Sequence, residues 1–402
     1  MIVPVPLIVC ADAHAAIGTG HVMRSLALAA AWQQAGGQAT FLSHCPVAAL
    51  RERIVATGAG LRSLDAPLAD PRRLADEVAK VGNDAASPVL GATSGKTVIL
   101  SAAKDLRRPH ADEILRCDQN DRTLRATPIA PRIRKATHSP RPWVVLDGYH
   151  FDSACHAAIR RLGARLLVVD DLAHLPRYHA DLVLNQNLGA EQMTYACDSD
   201  TRLLCGCRYA LLRDEFRPWR GWQRSTPPLA HNVLVTLGGS DPQNVLPRLI
   251  EGAVRTEIPD LQIRVVIGAA NAHAEEIRQA ANDCRARLEF LTNVPDMAQQ
   301  MAWADVAVSA AGTTCWELAF MQLPSLVTIL VDNQRNSAQR LQEAGAAVNL
   351  GAADRLAADV VAEALTAICR DPTRRRQLAG QGRLLVDGEG LDRLLVAMEI
   401  EA

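Results

Sequence analysis

The 402-residue chain has few aromatics, at 4%, and almost no charge imbalance, with a formal net charge of −1. It contains no run approaching the roughly eighteen uncharged apolar residues that a membrane span requires. A near-neutral balance argues against a general nucleic-acid binder, which needs a cationic footprint. The ten cysteines are scattered, with no CxxC pair. Only Cys205 and Cys207 lie close together, and a lone C-x-C is poor spacing for a metal site. In a chain of this size they read as reduced thiols, which points to the cytoplasm. The opening "MIVPVPLIVCADAHAAIG" lacks the basic segment of a secretory signal and reads as a first strand.

What the sequence does have is apolar residue, 49% of the total, enough for two domains with full cores. Short β-branched runs alternate with helical patterns, the signature of parallel α/β layers. In the first part the strands are read at Leu7–Cys10, Ala39–Ser43, Trp143–Leu146, Leu166–Val169 and Leu182–Leu184. A helix is read over Val22–Ala35, closed by Gly36 and Gly37. The Trp-, Arg- and Pro-rich stretch Pro218–Pro228 reads as a linker. A second αβ series follows, with "HNVLVTLGGSDP", "LQIRVVIG", "RLEFL", "DVAVS" and "SLVTIL". The reading is an N-terminal α/β domain over 1–217, a linker over 218–228 and a C-terminal α/β domain over 229–402. Two doubly wound, Rossmann-like domains of this kind place a ligand in the cleft between them, at the carboxyl ends of the strands.

Residues 85–141 break the rhythm. They have little apolar periodicity and hold eleven Lys/Arg against five Asp/Glu. A loop of that length is unusual inside a compact domain, so it reads as a largely disordered insertion. Its "GATSGKT" mimics a phosphate-binding P-loop, but three residues separate the glycines where the motif needs four.

Three glycine-containing turns carry the chemistry. In "IGTGHVMRSLALAAAW", Gly18, Thr19 and Gly20 run into an amphipathic helix with His21 at its start. Unpaired backbone N–H groups and the helix dipole make such a junction suit a phosphate. The imidazole there is either a base aimed at something attached to that phosphate or a packing residue in a tight turn. "TLGGSDP" supplies Gly238 and Gly239 at the end of a strand, and "VAVSAAGTTCWELAF" supplies Gly312 and Thr313 before a helix. Glu317 in that helix fits a T-x-x-E capping box with Thr314. It could equally accept hydrogen bonds from a ribose diol. Two such loops on one rim and "GTGH" opposite them suit a nucleotide diphosphate.

The segments "ADAHAAIGTGHVMRSLALA", "VVLDGYHFD", "LLVVDDLA", "ADLVLNQNLG", "YALLRDEF", "VLVTLGGSDP" and "AAGTTCWELAFMQLPSLV…DNQR" occur in the order found in one family. The chain resembles the UDP-2,4-diacetamido-2,4,6-trideoxy-β-L-altropyranose hydrolases of pseudaminic acid biosynthesis, over nearly its whole length except 85–141. That resemblance implies a GT-B-like fold, with two Rossmann-like domains. It also implies a reaction in which water attacks the anomeric carbon and UDP leaves. His21 matches the family's water-activating histidine, and Tyr149 a tyrosine presented to the cleft. Gly312, Thr313 and Glu317 match positions implied to hold diphosphate and ribose. Asn333 and Gln334 match polar groups implied to meet sugar or phosphate. The sequence departs from the family at Cys10, where an arginine is usual, and at His150, which follows the tyrosine instead of preceding it.

A single base suffices for such a reaction, because UDP is already a good leaving group. A glycosidase acting on an alkyl glycoside generally needs two carboxyls. The implied partners are therefore a UDP-sugar and water, with no cofactor, metal, nucleic acid or membrane. Two alternatives share the fold: a nucleotide-sugar glycosyltransferase and a non-catalytic UDP-sugar binder.

Overall fold

The structure is a computed structural model, and residues 5–13, 18–86, 141–280 and 287–399 are described. All of them belong to one compact unit, Met1–Ala86 with Pro140–Ala402. The insertion read over 85–141, with its "GATSGKT", lies outside the described residues except at its two ends.

Seven strands form the first sheet: β1 (Pro6–Ala11), β2 (Gln38–Ser43), β3 (Gly60–Ser63), β4 (Trp143–Asp147), β5 (Arg165–Val169), β6 (Leu182–Asn185) and β7 (Arg202–Cys205). Six form the second: β8 (Asn232–Thr236), β9 (Gln262–Ile267), β10 (Arg287–Thr292), β11 (Val306–Ala310), β12 (Ser325–Ile329) and β13 (Val348–Ala352). Helices α1 (Gly20–Gln34), α2 (Ala48–Ala56), α3 (Pro71–Ala86) and α4 (Ser153–Arg161) accompany the first sheet. With the second come α5 (Leu246–Val254), α6 (Ala274–Ala280), α7 (Met297–Trp303), α8 (Thr314–Phe320) and α9 (Arg335–Glu343). Helices α10 (Ala358–Arg370), α11 (Pro372–Leu385) and α12 (Gly390–Ala397) end the described chain.

The strand orders are β3-β2-β1-β4-β5-β6-β7 and β10-β9-β8-β11-β12-β13. Every pairing is parallel. Each sheet therefore reverses direction once, between β1 and β4 and between β8 and β11. At such a switch point the loops leave a crevice outside the strand ends. The central strands read as near-continuous apolar runs ("LIVCA", "WVVL", "NVLVT", "VAVSA") because helices cover both their faces.

Strands β3, β7 and β13 escape the sequence reading. The first two are four-residue segments, β3 and β7 are edge strands, and neither has a β-branched residue. The edge strand β13 carries Gly351 at φ 84° and pairs with a register shift. Helix α1 starts two residues earlier than read, so His21 lies in its first turn. Gly36 at φ 91° terminates it, its N–H bonding the Gln33 carbonyl at 2.9 Å.

The stretch 218–228 is packed. Trp219 and Trp222 meet edge to face at 5.2 Å. Arg224 donates to the carbonyls of Met301, Ala304 and Met321, and burial lowers its pKa to about 10. The segment 229–402 also returns one helix to the first half, because Leu394, Leu395 and Met398 join the core that holds Leu28 and Trp32.

Candidate functional site

The carboxyl ends of both sheets border one cavity of about 820 Å³. All twelve residues singled out in the sequence line it: Gly18, Thr19, Gly20, His21, Tyr149, Gly238, Gly239, Gly312, Thr313, Glu317, Asn333 and Gln334. They come from segments up to 316 positions apart, which only the two switch points bring to one place.

On the first half's side, His21 sits in the opening turn of α1 and turns its Nδ1 onto Asp147, 2.6 Å from Oδ1. Asp147 is the last residue of β4 and is completely buried. One helical turn after His21, Arg24 donates to both oxygens of Asp147, at 2.7 and 2.6 Å. The same guanidinium reaches Asp171 at 2.9 and 3.0 Å. Burial on its own would raise the Asp147 carboxyl. Arg24 and His21 outweigh it and hold the group well below the ordinary carboxylate range. The Asp171 carboxyl is likewise lowered, burial opposing and Arg24 prevailing.

An ionised Asp147 facing Nδ1 means that Nδ1 carries the proton, which leaves the lone pair on Nε2. His21 therefore has the orientation of a general base. Around it, two carboxylates stand against one guanidinium. His21 thus lines the cavity with its ring held by Asp147.

Tyr149 stands edge-on to His21, ring centroids 5.0 Å apart. Its hydroxyl donates to Asp171 at 3.0 Å and accepts from Asn333 of the second half at 3.2 Å. Burial, and then Asp171, push its pKa upward, so it stays a neutral phenol. Asn187 completes the group by donating to Asp171 at 2.8 Å.

The second half's side brings close-packed glycine turns to the cavity. Gly238 adopts φ 80° and Gly18 opposite it φ 75°, a region that favours glycine. A Cβ on Gly239 would run into the side chain of Thr19, and one on Gly268 into the backbone of Gly238 and Gly239. The first intrahelical bonds of α8 run from Cys315 to Gly312 and from Trp316 to Thr313, at 3.0 and 3.1 Å. Gly312, Thr313 and Thr314, whose N–H groups precede those bonds, line the cavity. Gln334 spends its Oε1 on the Leu330 N–H at 2.9 Å, which leaves its Nε2 beside Gly312.

The capping-box alternative for Glu317 does not hold. No side chain caps α8, and Glu317 instead takes both its oxygens to Arg213, at 2.7 and 2.9 Å. A bidentate guanidinium outcompetes a backbone N–H for a carboxylate, because two charge-assisted bonds replace one.

Sequence reasoning missed Asp147, Arg24, Asp171, Asn187, Arg213 and Gly268. Two signals were available: Arg24 is one helical turn from His21, and Asp147 and Asp171 stand at or just beyond strand ends. Among the described residues no group of three or more His, Cys, Asp or Glu is placed to hold a metal ion, and no helix is long and apolar enough to cross a membrane.

A sequence profile of the glycosyltransferase family 28 C-terminal domain matches residues 232–382. Among curated proteins, the spore coat polysaccharide biosynthesis protein SpsG of Bacillus subtilis (strain 168) is 28% identical over 222 residues, 55% of this chain and 65% of its own length. The UDP-N-acetylglucosamine–N-acetylmuramyl-(pentapeptide) pyrophosphoryl-undecaprenol N-acetylglucosamine transferase of Stutzerimonas stutzeri is 33% identical over 164 residues, 39% of this chain and 46% of its own length. The chain thus spans less than two thirds of these relatives. The crystal structure of Acinetobacter baumannii MurG superposes with a TM-score of 0.57 at 16% identity, covering 99% of both chains. The chain therefore has the GT-B fold, and its residues 232–382 match the glycosyltransferase family 28 C-terminal domain.

Proposed function

We propose that the protein is a nucleotide-sugar-dependent enzyme that transfers a glycosyl group from UDP, with His21 as the base. The observation carrying this reading is the pairing of His21 with Asp147 across one cavity from the glycine turns at Gly238–Gly239 and Gly312–Thr313. The similarity to a UDP-N-acetylglucosamine-dependent transferase and to a polysaccharide biosynthesis protein supports it.

In this reaction His21 Nε2 takes the proton of the attacking hydroxyl. A new bond forms at the anomeric carbon while the bond to the diphosphate oxygen breaks, and the electron pair leaves with UDP. Backbone N–H groups at Gly312 and Thr313, with Gln334 Nε2, hold the charge that grows on the diphosphate. Asp147 steadies the imidazolium that forms. Glu317 receives the ribose hydroxyls.

A second reading makes water the acceptor, and its narrowest form is hydrolysis of a UDP-linked diacetamido-trideoxy sugar. Tyr149, Asp171 and Asn187 favour it, because they place hydroxyl, carboxylate and amide groups beside the base, where a water could be held. A panel of UDP-sugars, with and without hydroxyl acceptors, decides between the two. UDP release that needs an acceptor supports transfer, and equimolar UDP and free sugar in its absence support hydrolysis. Tight UDP-sugar binding without turnover under either condition overturns both.

A further inference from the structure

Arg213 lies outside the three glycine-turn motifs, in the crossing segment that follows β7, yet it lines the same cavity. Its guanidinium grips Glu317 with Nε on Oε1 at 2.7 Å and a terminal nitrogen on Oε2 at 2.9 Å. The remaining terminal nitrogen reaches Glu215 at 2.8 Å, and Glu215 in turn meets Arg53 of α2 at 3.3 Å. Both partners of the central pair are nearly buried, with side chains 11% and 13% exposed. Burial opposes the charge on Arg213, and Glu317 more than restores it, so the guanidinium is raised.

We infer that Arg213 is a positioning residue that fixes the Glu317 carboxylate to select a ribose over a deoxyribose; this rests on the nucleotide reading above. Each carboxylate oxygen has two acceptor positions. The fork of Arg213 uses one on each oxygen and locks the plane of the group. The positions left over are then held in fixed geometry toward the cavity, spaced for the two neighbouring hydroxyls of a ribose. A free glutamate would have to give up side-chain rotamers before making the same two bonds. Lysine cannot replace the fork, because it is a point charge on a flexible stem. The chain Arg53–Glu215–Arg213–Glu317 also alternates in sign, so it places no net charge beside the nucleoside. The pair is therefore an orienting device more than an electrostatic attractor.

The test is calorimetric titration of the full chain with UDP and with 2′-deoxy-UDP, for the wild type, Arg213→Ala, Arg213→Lys, Glu317→Gln and the double variant. The ratio of the two affinities is internal to each protein sample, so a change in overall stability does not mimic it. The wild type should prefer UDP by roughly tenfold or more, the scale of one hydrogen bond to a charged group. Arg213→Lys and Arg213→Ala should bring the ratio down toward that of Glu317→Gln, and the double variant should lose nothing further. If Arg213→Ala does not fold, Arg213→Lys decides alone. A ratio in either Arg213 variant equal to that of the wild type overturns the role of Arg213 while UDP binding stands. A wild type with no preference between the two nucleotides overturns it at Glu317. A wild type that binds neither nucleotide overturns it together with the nucleotide reading.

Discussion

The two walls of the cavity differ in what their named residues offer: charged side chains in mutual contact on one, glycine turns on the other. The first half's wall is made of charged side chains in mutual contact: His21, Arg24, Asp147 and Asp171. The second half's wall includes glycines at 238, 239, 268 and 312, where the backbone is bare. A proton acceptor needs an ionisable group whose orientation and counter-charges are fixed, and a diphosphate needs several N–H donors that can be approached closely. The contrast implies that substitutions on the first wall act on turnover, and those on the second on nucleotide affinity.

The largest effect is expected at His21. His21→Asn should lower kcat by roughly a hundredfold or more, the scale of a positioned base, and leave UDP affinity unchanged. Steady-state rates with calorimetry on the same protein check both halves of that statement. A fall in UDP affinity as large as the fall in kcat would break the division between the walls.

Next in size is Asp147→Asn, which keeps the imidazole but removes the partner that fixes its tautomer. A loss in kcat of about tenfold or more is expected, smaller than for His21→Asn. The same residue has a signature in acid. Because the folded Asp147 carboxyl lies below its ordinary value, the stability it contributes is complete above the unfolded carboxylate range and fades as pH falls below it. Denaturant titrations at neutral pH and near pH 3 should therefore lose more stability in the wild type than in Asp147→Asn.

The second wall is sharpened by Gly268→Ala. A Cβ there meets the carbonyl of Gly238 and the backbone of Gly239, which cannot rotate aside as a side chain would. Overpacking of this kind costs roughly 1–3 kcal/mol. UDP affinity should fall by about tenfold, with kcat at saturating substrate within a few-fold of the wild type. Unaltered UDP affinity would show that the turn at Gly238–Gly239 does not contact the nucleotide.

The smallest effect lies away from both walls and serves as their control. His156 is fully buried, and among the described residues neither of its ring nitrogens has a hydrogen-bond partner. Burial first, then His179 and His174 against the opposing Asp152, lower its pKa from 6.5 to about 4. Between those values the unfolded chain binds the proton more tightly, so stability is complete above pH 6.5 and declines as pH falls toward about 4. His156→Leu should flatten that decline in thermal melts and change neither kcat nor UDP affinity. A wild type equally stable across this interval would show that the ring charges without resistance.

The α/β alternation, the buried runs of β1, β4, β8 and β11, the helix from His21 onward and the three glycine turns were all legible in the sequence. Each is a local pattern, set by side-chain periodicity or by a backbone angle that glycine tolerates. The edge strands β3, β7 and β13 were not, because short segments at a sheet's margin owe their pairing to a neighbour and carry little pattern of their own. The partners of the site were equally hidden. Asp147 lies 126 residues from His21, and Arg213 lies 104 from Glu317. Glu317 illustrates the limit well. Its spacing from Thr314 fits a local cap, but packing brought Arg213 within reach, and two charge-assisted bonds prevailed over one backbone contact. The sequence by itself determined the central strands, the helix from His21 onward and the glycine turns. Tertiary structure alone decided which charges meet, since that depends on how two switch points fold together and not on any repeat along the chain.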